Sequence, residues 1–170
     1  MTYPFKKLKT LTQYTIQDFQ IDQDAFNEIS GQAFKTTKQD IENQLKLIYE
    51  EVGETRDAIR DNNVVGILDG LVDTLYVTLG ALQKLKKLGV DTDGAMRQVA
   101  EDNLKKFVDE EMIANNSMDS YFEKGIKVRT EYNSKYRVFV IKDESDKVRK
   151  PLDFVSTDLS NYVPNGLVFV

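Results

Sequence analysis

The residues whose types and spacing could do chemistry are carboxylates in two neighbouring stretches. "YEEVGE" carries Glu50, Glu51 and Glu54, three and four apart, so a helix would set them on one face. "DGLVDTLYVTLGAL", residues 69–82, carries Asp69 and Asp73 inside the most hydrophobic segment of the chain. A buried carboxylate persists only with a partner, a metal or a raised pKa. No Lys or Arg stands within 69–82 to neutralise the two Asp. Four or five carboxylates around one small volume repel each other unless a cation lies between them. Ligands that are all oxygen suit Mg²⁺ or Mn²⁺, and such ions usually bring phosphate oxygens with them. Two metal-free readings stand beside this one. The three Glu can be the solvated face of an amphipathic helix, and Asp73 can accept a hydrogen bond from a Tyr hydroxyl.

Composition narrows the chemistry further. The 170 residues contain neither Cys nor His. Thiolate metal sites and disulfides are therefore excluded, as are the commonest general base and the commonest zinc ligand. Catalysis would have to run on carboxylates, Lys, Arg, Tyr, Ser, Thr or an oxygen-held metal. A formal net charge of −5 disfavours non-specific nucleic-acid binding. The start, "MTYPFKKLKTLTQY", lacks the apolar run of a signal peptide. Gly66 to Gln83 is short for a membrane span and holds two Asp, so the sequence predicts a buried core helix and a cytoplasmic protein.

The elements that must position the acids are helices. Ile16, Phe19, Phe26 and Ile29 predict a helix over 15–30, with Gly31 as its stop. Thr36 or Thr37 can cap a second helix, in which Ile41, Leu45, Ile48, Val52 and Ile59 recur at helical spacing up to Asn62-Asn63. Val64 to Leu88 predicts a third, apolar on most of its circumference and closed by Gly89. "DTDGAMRQVAEDNLKKF" predicts a fourth, to about Phe107, its Asp-rich start suited to the helix dipole. Long helices joined by short loops predict an antiparallel bundle. After Asn115-Asn116 the chain alternates apolar and polar residues, predicting strands at about 126–131 and 136–142 around a turn at Asn133-Ser134. The expected organisation is a helical domain over 1–116 and a C-terminal extension over 117–170 with a β-hairpin. The tail, "KPLDFVSTDLSNYVPNGLVFV", shows no period.

"EEVGE", a spacer and "DGLVDTLYV" resemble the signature of the all-α nucleoside triphosphate pyrophosphohydrolases, which include MazG, dimeric dUTPases and phosphoribosyl-ATP pyrophosphohydrolase. That signature is ExxE, a spacer and ExxD. Here Glu51 and Glu54 match its first half and Asp73 its last position. Gly70 stands where many members have Glu, with Asp69 one place earlier, a pattern closer to phage-type members. "VAEDNLKKF" resembles the family element on the next helix, with Asn103 and Lys106 in the matching places, and "KVRKPLDFVSTDL" is similar to a short C-terminal segment of phage-type members.

The resemblance implies an all-α bundle of MazG-like type and hydrolysis of a nucleoside triphosphate, a deoxynucleotide by preference, to monophosphate and pyrophosphate. It implies Mg²⁺, with Mn²⁺ as a substitute, held by Glu50, Glu51, Glu54 and Asp73, with Asp69 as an addition. Glu50 is the expected base for the attacking water, and Asn103 and Lys106 are the expected contacts to the nucleotide and its phosphates. The apolar circumference of 66–83 independently predicts a homodimer or homotetramer. The alternative of another class is a non-catalytic helical module for self-association or partner binding, with neither nucleic acid nor membrane as partner.

Overall fold

A computed structural model describes residues 14–33 and 35–169 of the chain. The amino-terminal stretch judged above not to be a signal peptide lies mostly outside them. The described residues form five α-helices and a small three-stranded antiparallel sheet near the C-terminus. They divide into two compact units, one up to Thr92 with 163–170, the other Asp93–Tyr162. The compositional boundary at 116/117 falls inside the second unit.

In the first unit, α1 (Ile16–Ile29), α2 (Lys38–Arg60) and α3 (Val64–Lys87) follow the predicted spans within a residue or two. Thr15 and Thr37 each cap a helix by accepting from the backbone N–H three residues on, and Asp18 and Asp40 return the bond in reciprocal capping boxes. Asn63 caps α3 by accepting from the Gly66 N–H at 3.0 Å. Three residues between α2 and α3 force an antiparallel hairpin. Its register is fixed by close approaches: a Cβ added at Gly66 would lie 3.1 Å from that of Ala58, and one at Gly70 would lie 2.3 Å from Thr55 Oγ1 and 3.2 Å from Thr55 N. Farther along, Gln44 Nε2 donates to the Val77 carbonyl at 2.9 Å. Helix α1 runs parallel to α3. Phe19 and Phe26 meet Tyr76 edge-on, with ring centroids 5.5 and 5.9 Å away, and Asn27 donates to Gln83 at 2.7 Å.

One expectation is corrected here. Helix α3 is not buried within this unit. Leu68 and Leu71 are 64% and 57% exposed, and Val64, Val65, Val72 and Leu75 are exposed with them. The α1 and α2 surfaces add Ile16, Ile29, Val52 and Ile59. Three helices cannot cover a helix that is apolar nearly all round. Val64–Lys87 remains long and apolar enough, by length and composition, to cross a membrane.

The second unit holds α4 (Thr92–Leu104), β1 (Phe107–Val108), α5 (Glu111–Glu123), β2 (Val128–Asn133) and β3 (Val138–Asp143), then a 3₁₀ turn at Leu159–Tyr162. The sheet order is β1-β3-β2, with Phe107 opposite Val140 and Thr130 opposite Ile141. Ile141, Ala114 and Ser117 are fully buried where α5 covers the sheet. Sequence patterning missed α5 and β1. Helix α5 turns Ala114, Ser117, Met118 and Tyr121 inward, at helical spacing but with two small residues, so the apolar signal is weak. Phe107, placed above at the end of α4, belongs instead to β1, where it pairs with β3.

Candidate functional site

Each predicted site residue stands on an element described above. Glu50, Glu51 and Glu54 lie on α2, Asp69 and Asp73 on α3, all in the first unit. Asn103 lies on α4 and Lys106 just after it, in the second. The register that sets Ala58 against Gly66 and Thr55 against Gly70 brings Glu51 opposite Asp73. The electrostatics agree. The Glu51 carboxyl is pushed above the usual carboxylate range, first by loss of hydration, then by the charges of Asp73, Glu54, Glu50 and Asp69, in that order. All five acids therefore share one neighbourhood across the α2–α3 face.

No Lys or Arg forms an ion pair with any of the five among the described residues. On α2, Arg56 and Arg60 turn to Asp57 and Asp61. No group of three or more of these acids is gathered tightly enough to hold an ion in this arrangement, among the described residues. Glu50, Glu54, Asp69 and Asp73 are exposed. The donor set still fits a hard divalent cation: it is all oxygen, strongly anionic and without an ion-pair partner among the described residues. The Tyr partner considered for Asp73 is absent, since among the described residues no Tyr hydroxyl donates to Asp73, and Tyr76 faces Phe19 and Phe26 instead.

Gly70 explains why no acid stands three residues before Asp73. It is buried at the tightest point of the α2–α3 crossing, where any Cβ would strike Thr55. Thr55 is itself buried and fixed, its Oγ1 donating to the Glu51 carbonyl at 2.8 Å. Asp69, one residue earlier, is exposed and leaves the crossing untouched.

A cavity of about 390 Å³ lies within the first unit, with Gln23, Phe26, Asn27, Gln44, Tyr76 and Lys84 in its lining and none of the five acids among them. Tyr76 stands one turn beyond Asp73, and Leu47, also in the lining, one turn before Glu51. Gln23 is 2% exposed, and its Oε1 has no hydrogen-bond partner among the described residues. An unsatisfied buried acceptor is costly unless a ligand or water supplies the donor. The buried Lys84 donates to the carbonyls of Gln32 and Lys35 at 2.9 and 3.3 Å, fastening the α1–α2 loop, and burial lowers its pKa. Sequence reasoning missed this amide lining. Its only signal was Gln23 and Asn27, four apart on one face of α1.

Asn103 and Lys106 contact each other. Lys106 Nζ donates to Asn103 Oδ1 at 2.7 Å, and Asn103 Nδ2 donates to the Val99 carbonyl at 2.9 Å. Lys106 has no carboxylate partner among the described residues, whereas its neighbour Lys105 is paired with Asp102 at 2.9 Å.

Comparison with known proteins bears out the resemblance. Residues 23–103, just under half the chain, match the family model described as phosphoribosyl-ATP pyrophosphohydrolase, within the MazG-like nucleoside triphosphate pyrophosphohydrolase superfamily. The match spans the amide lining, all five acids and Asn103, and stops short of Lys106. An uncharacterized protein of Acanthamoeba polyphaga mimivirus is 35% identical over 74 residues, 44% of this chain and 29% of that protein. The chain therefore aligns with less than a third of that relative. No solved structure matches.

Proposed function

We propose that this chain, whose residues 23–103 place it in the MazG-like superfamily, hydrolyses a nucleoside triphosphate to monophosphate and pyrophosphate. The observation that carries the reading is the α2–α3 register that sets five carboxylates on neighbouring helix faces, none of them ion-paired among the described residues, in the same unit as an amide-lined cavity. Glu51, Glu54 and Asp73, with Glu50 and Asp69, would hold Mg²⁺ or Mn²⁺. When bound, such a cation neutralises the phosphates and makes water a better acid. Glu50, an exposed carboxylate with no hydrogen-bond or ion-pair partner among the described residues, takes the proton of the water that attacks the α-phosphorus. The water oxygen forms the new bond, the α–β anhydride bond breaks, and pyrophosphate leaves with the electron pair. The family resemblance carries over to Lys106 and Asn103 the role of phosphate contacts, a positive charge and a hydrogen-bonding amide.

The base belongs in the amide-lined cavity. Gln23 Oε1 awaits a donor, as an exocyclic amine or ring N–H would be, while Phe26 and Tyr76 offer ring faces. The expected substrate is a deoxynucleoside triphosphate. A screen of the common ribo- and deoxyribonucleoside triphosphates with Mg²⁺ tests this, with pyrophosphate as readout. Release should occur with at least one of them and stop in EDTA. Release of orthophosphate alone would mean that a different bond is cut.

A second copy of the chain is the proposed cover for the exposed apolar faces of α2 and α3. A membrane would have to accept Asp69 and Asp73 on the same helix, which is expensive. Light scattering should give at least twice the 19.5 kDa of one chain, and a monomer at micromolar concentration would remove the idea.

A further inference from the structure

The C-terminal segment 150–159 has no periodicity and no regular structure apart from the start of the 3₁₀ turn, yet it is held firmly against α4 within the second unit. Asp102 does this. Its carboxylate accepts from the Thr157 N–H at 2.9 Å and from Lys105 at 2.9 Å, and Gln98 donates to both Asp102 and Thr157. Tyr162 donates to Gln98 at 3.1 Å. These donors, Lys105 foremost, hold the Asp102 carboxyl far below the usual carboxylate range. The result is a cleft of about 220 Å³ lined by Asn103, Lys106, Lys150, Phe154, Ser156 and Thr157, among others.

Its charges are unequal. Asp102, the only acid in the lining, is already saturated by Lys105 and the Thr157 backbone. Lys106 and Lys150 have no carboxylate partner among the described residues. Lys106 donates to Asn103, and Lys150 Nζ lies 4.5 Å from the centre of the Phe154 ring. Two uncompensated ammonium groups therefore face one small cleft, with the Ser156 hydroxyl beside them. The volume is below the roughly 300–1,000 Å³ of pockets that enclose a drug-sized ligand. It suits part of a nucleotide, not the whole.

We infer that this cleft binds phosphoryl groups, and that Lys150 and Ser156, from the C-terminal segment, join Lys106 and Asn103 in holding the pyrophosphate product. The assignment rests on the proposed pyrophosphohydrolase reading for the identity of the ligand. It rests on the cleft alone for the anion. The C-terminal segment thus becomes part of the binding machinery, and Asp102 is a positioning residue that keeps it in place.

The test uses the full chain and inorganic pyrophosphate in EDTA, so that no metal site contributes, with titration calorimetry as readout. Wild-type protein should bind, and Lys150→Met, which keeps the apolar stem on Phe154, should weaken binding about tenfold, the worth of one charge-assisted contact. Lys106→Met should do the same, Ser156→Ala less. Lys127→Met removes a charge of the same unit from an exposed pair with Glu144 and should change nothing. Orthophosphate should bind more weakly than pyrophosphate if both lysines engage one ligand. In turnover assays with Mg²⁺, Lys150→Met should show weaker inhibition by added pyrophosphate. Wild-type protein that ignores pyrophosphate, or a Lys150→Met variant that binds like wild type, overturns the inference. A protein that binds pyrophosphate through Lys150 but hydrolyses no nucleotide upholds the cleft and overturns the proposed activity instead.

Discussion

Two groups of carboxylates, one in each unit, are treated in opposite ways. In the second unit, Asp143, Glu131 and Asp146 are satisfied by donors. Asp143 accepts from Ser145 through both N–H and hydroxyl, from the Lys147 N–H and from Arg149, and its carboxyl is held down at about 2. Glu131 accepts from Lys142 and Arg129, Asp146 from Arg129, and both carboxyls are lowered. In the first unit, the five acids of α2 and α3 have no such partners among the described residues, and Glu51 moves up. A saturated carboxylate is a structural element, here the clasp of a turn or of the C-terminal segment. An unsaturated group of like charges is a cost to the fold that a bound cation would relieve. The difference separates acids that build from acids that wait for a ligand.

The sharpest way to break that comparison is to neutralise one acid of each kind. Asp73→Asn removes a proposed metal ligand and should lower pyrophosphate release by orders of magnitude while leaving the apo fold intact. Asp143→Asn should leave the chemistry unchanged per folded molecule and loosen the second unit. Full activity in Asp73→Asn would show that α3 carries no ligand.

A smaller effect tests the crossing that sets the acids opposite each other. Gly70→Ala should destabilise by about 1–3 kcal/mol, the range for overpacking, because its Cβ would meet Thr55. Thr55→Gly in the same chain should recover part of that loss, since it removes Oγ1 but not the backbone behind it. Additive effects in the double-mutant cycle would mean that the two residues do not touch. Gly70→Glu, which would restore an acid at that position, should cost more.

How far the sequence disclosed this molecule depends on where each element gets its partners. Helices α1 to α3 were legible because their signals are local: capping boxes at Thr15 and Thr37, apolar spacing, short loops. The five acids were legible from spacing alone. The exposure of Leu68 and Leu71 was not, since an apolar circumference is the same signal whether the chain covers it or leaves it open. Segment 150–159 was illegible because its order comes from Asp102 and Gln98, about fifty residues away. The amide lining was missed for a related reason. Gln and Asn on a helix usually mark solvent, and only the fold turns Gln23 inward.

The smallest expected effect is the most direct measure of the contrast, because the two kinds of acid should respond to pH with opposite signs. The Asp143 carboxyl lies at about 2 in the folded chain against an ordinary 3.8, so its contribution is fully present above 3.8 and is lost as pH falls towards 2. Asp143→Asn should therefore destabilise at pH 7, and the difference from wild type should close in strong acid. The Glu51 carboxyl is raised above its ordinary 4.5, so its folded form is favoured below 4.5 and that advantage disappears as pH rises through the raised value. At pH 7 the ionised group works against folding. Glu51→Gln in EDTA should accordingly be more stable than wild type at pH 7 and lose that advantage near pH 4. Urea melts at the two pH values read both effects. Saturating Mg²⁺ should erase the benefit of Glu51→Gln, because wild type then has the cation that its acids lacked, and the variant binds it less well. A Glu51→Gln variant destabilised in EDTA at pH 7 would show that Glu51 is satisfied in the apo fold, and would remove the distinction between the two groups of acids.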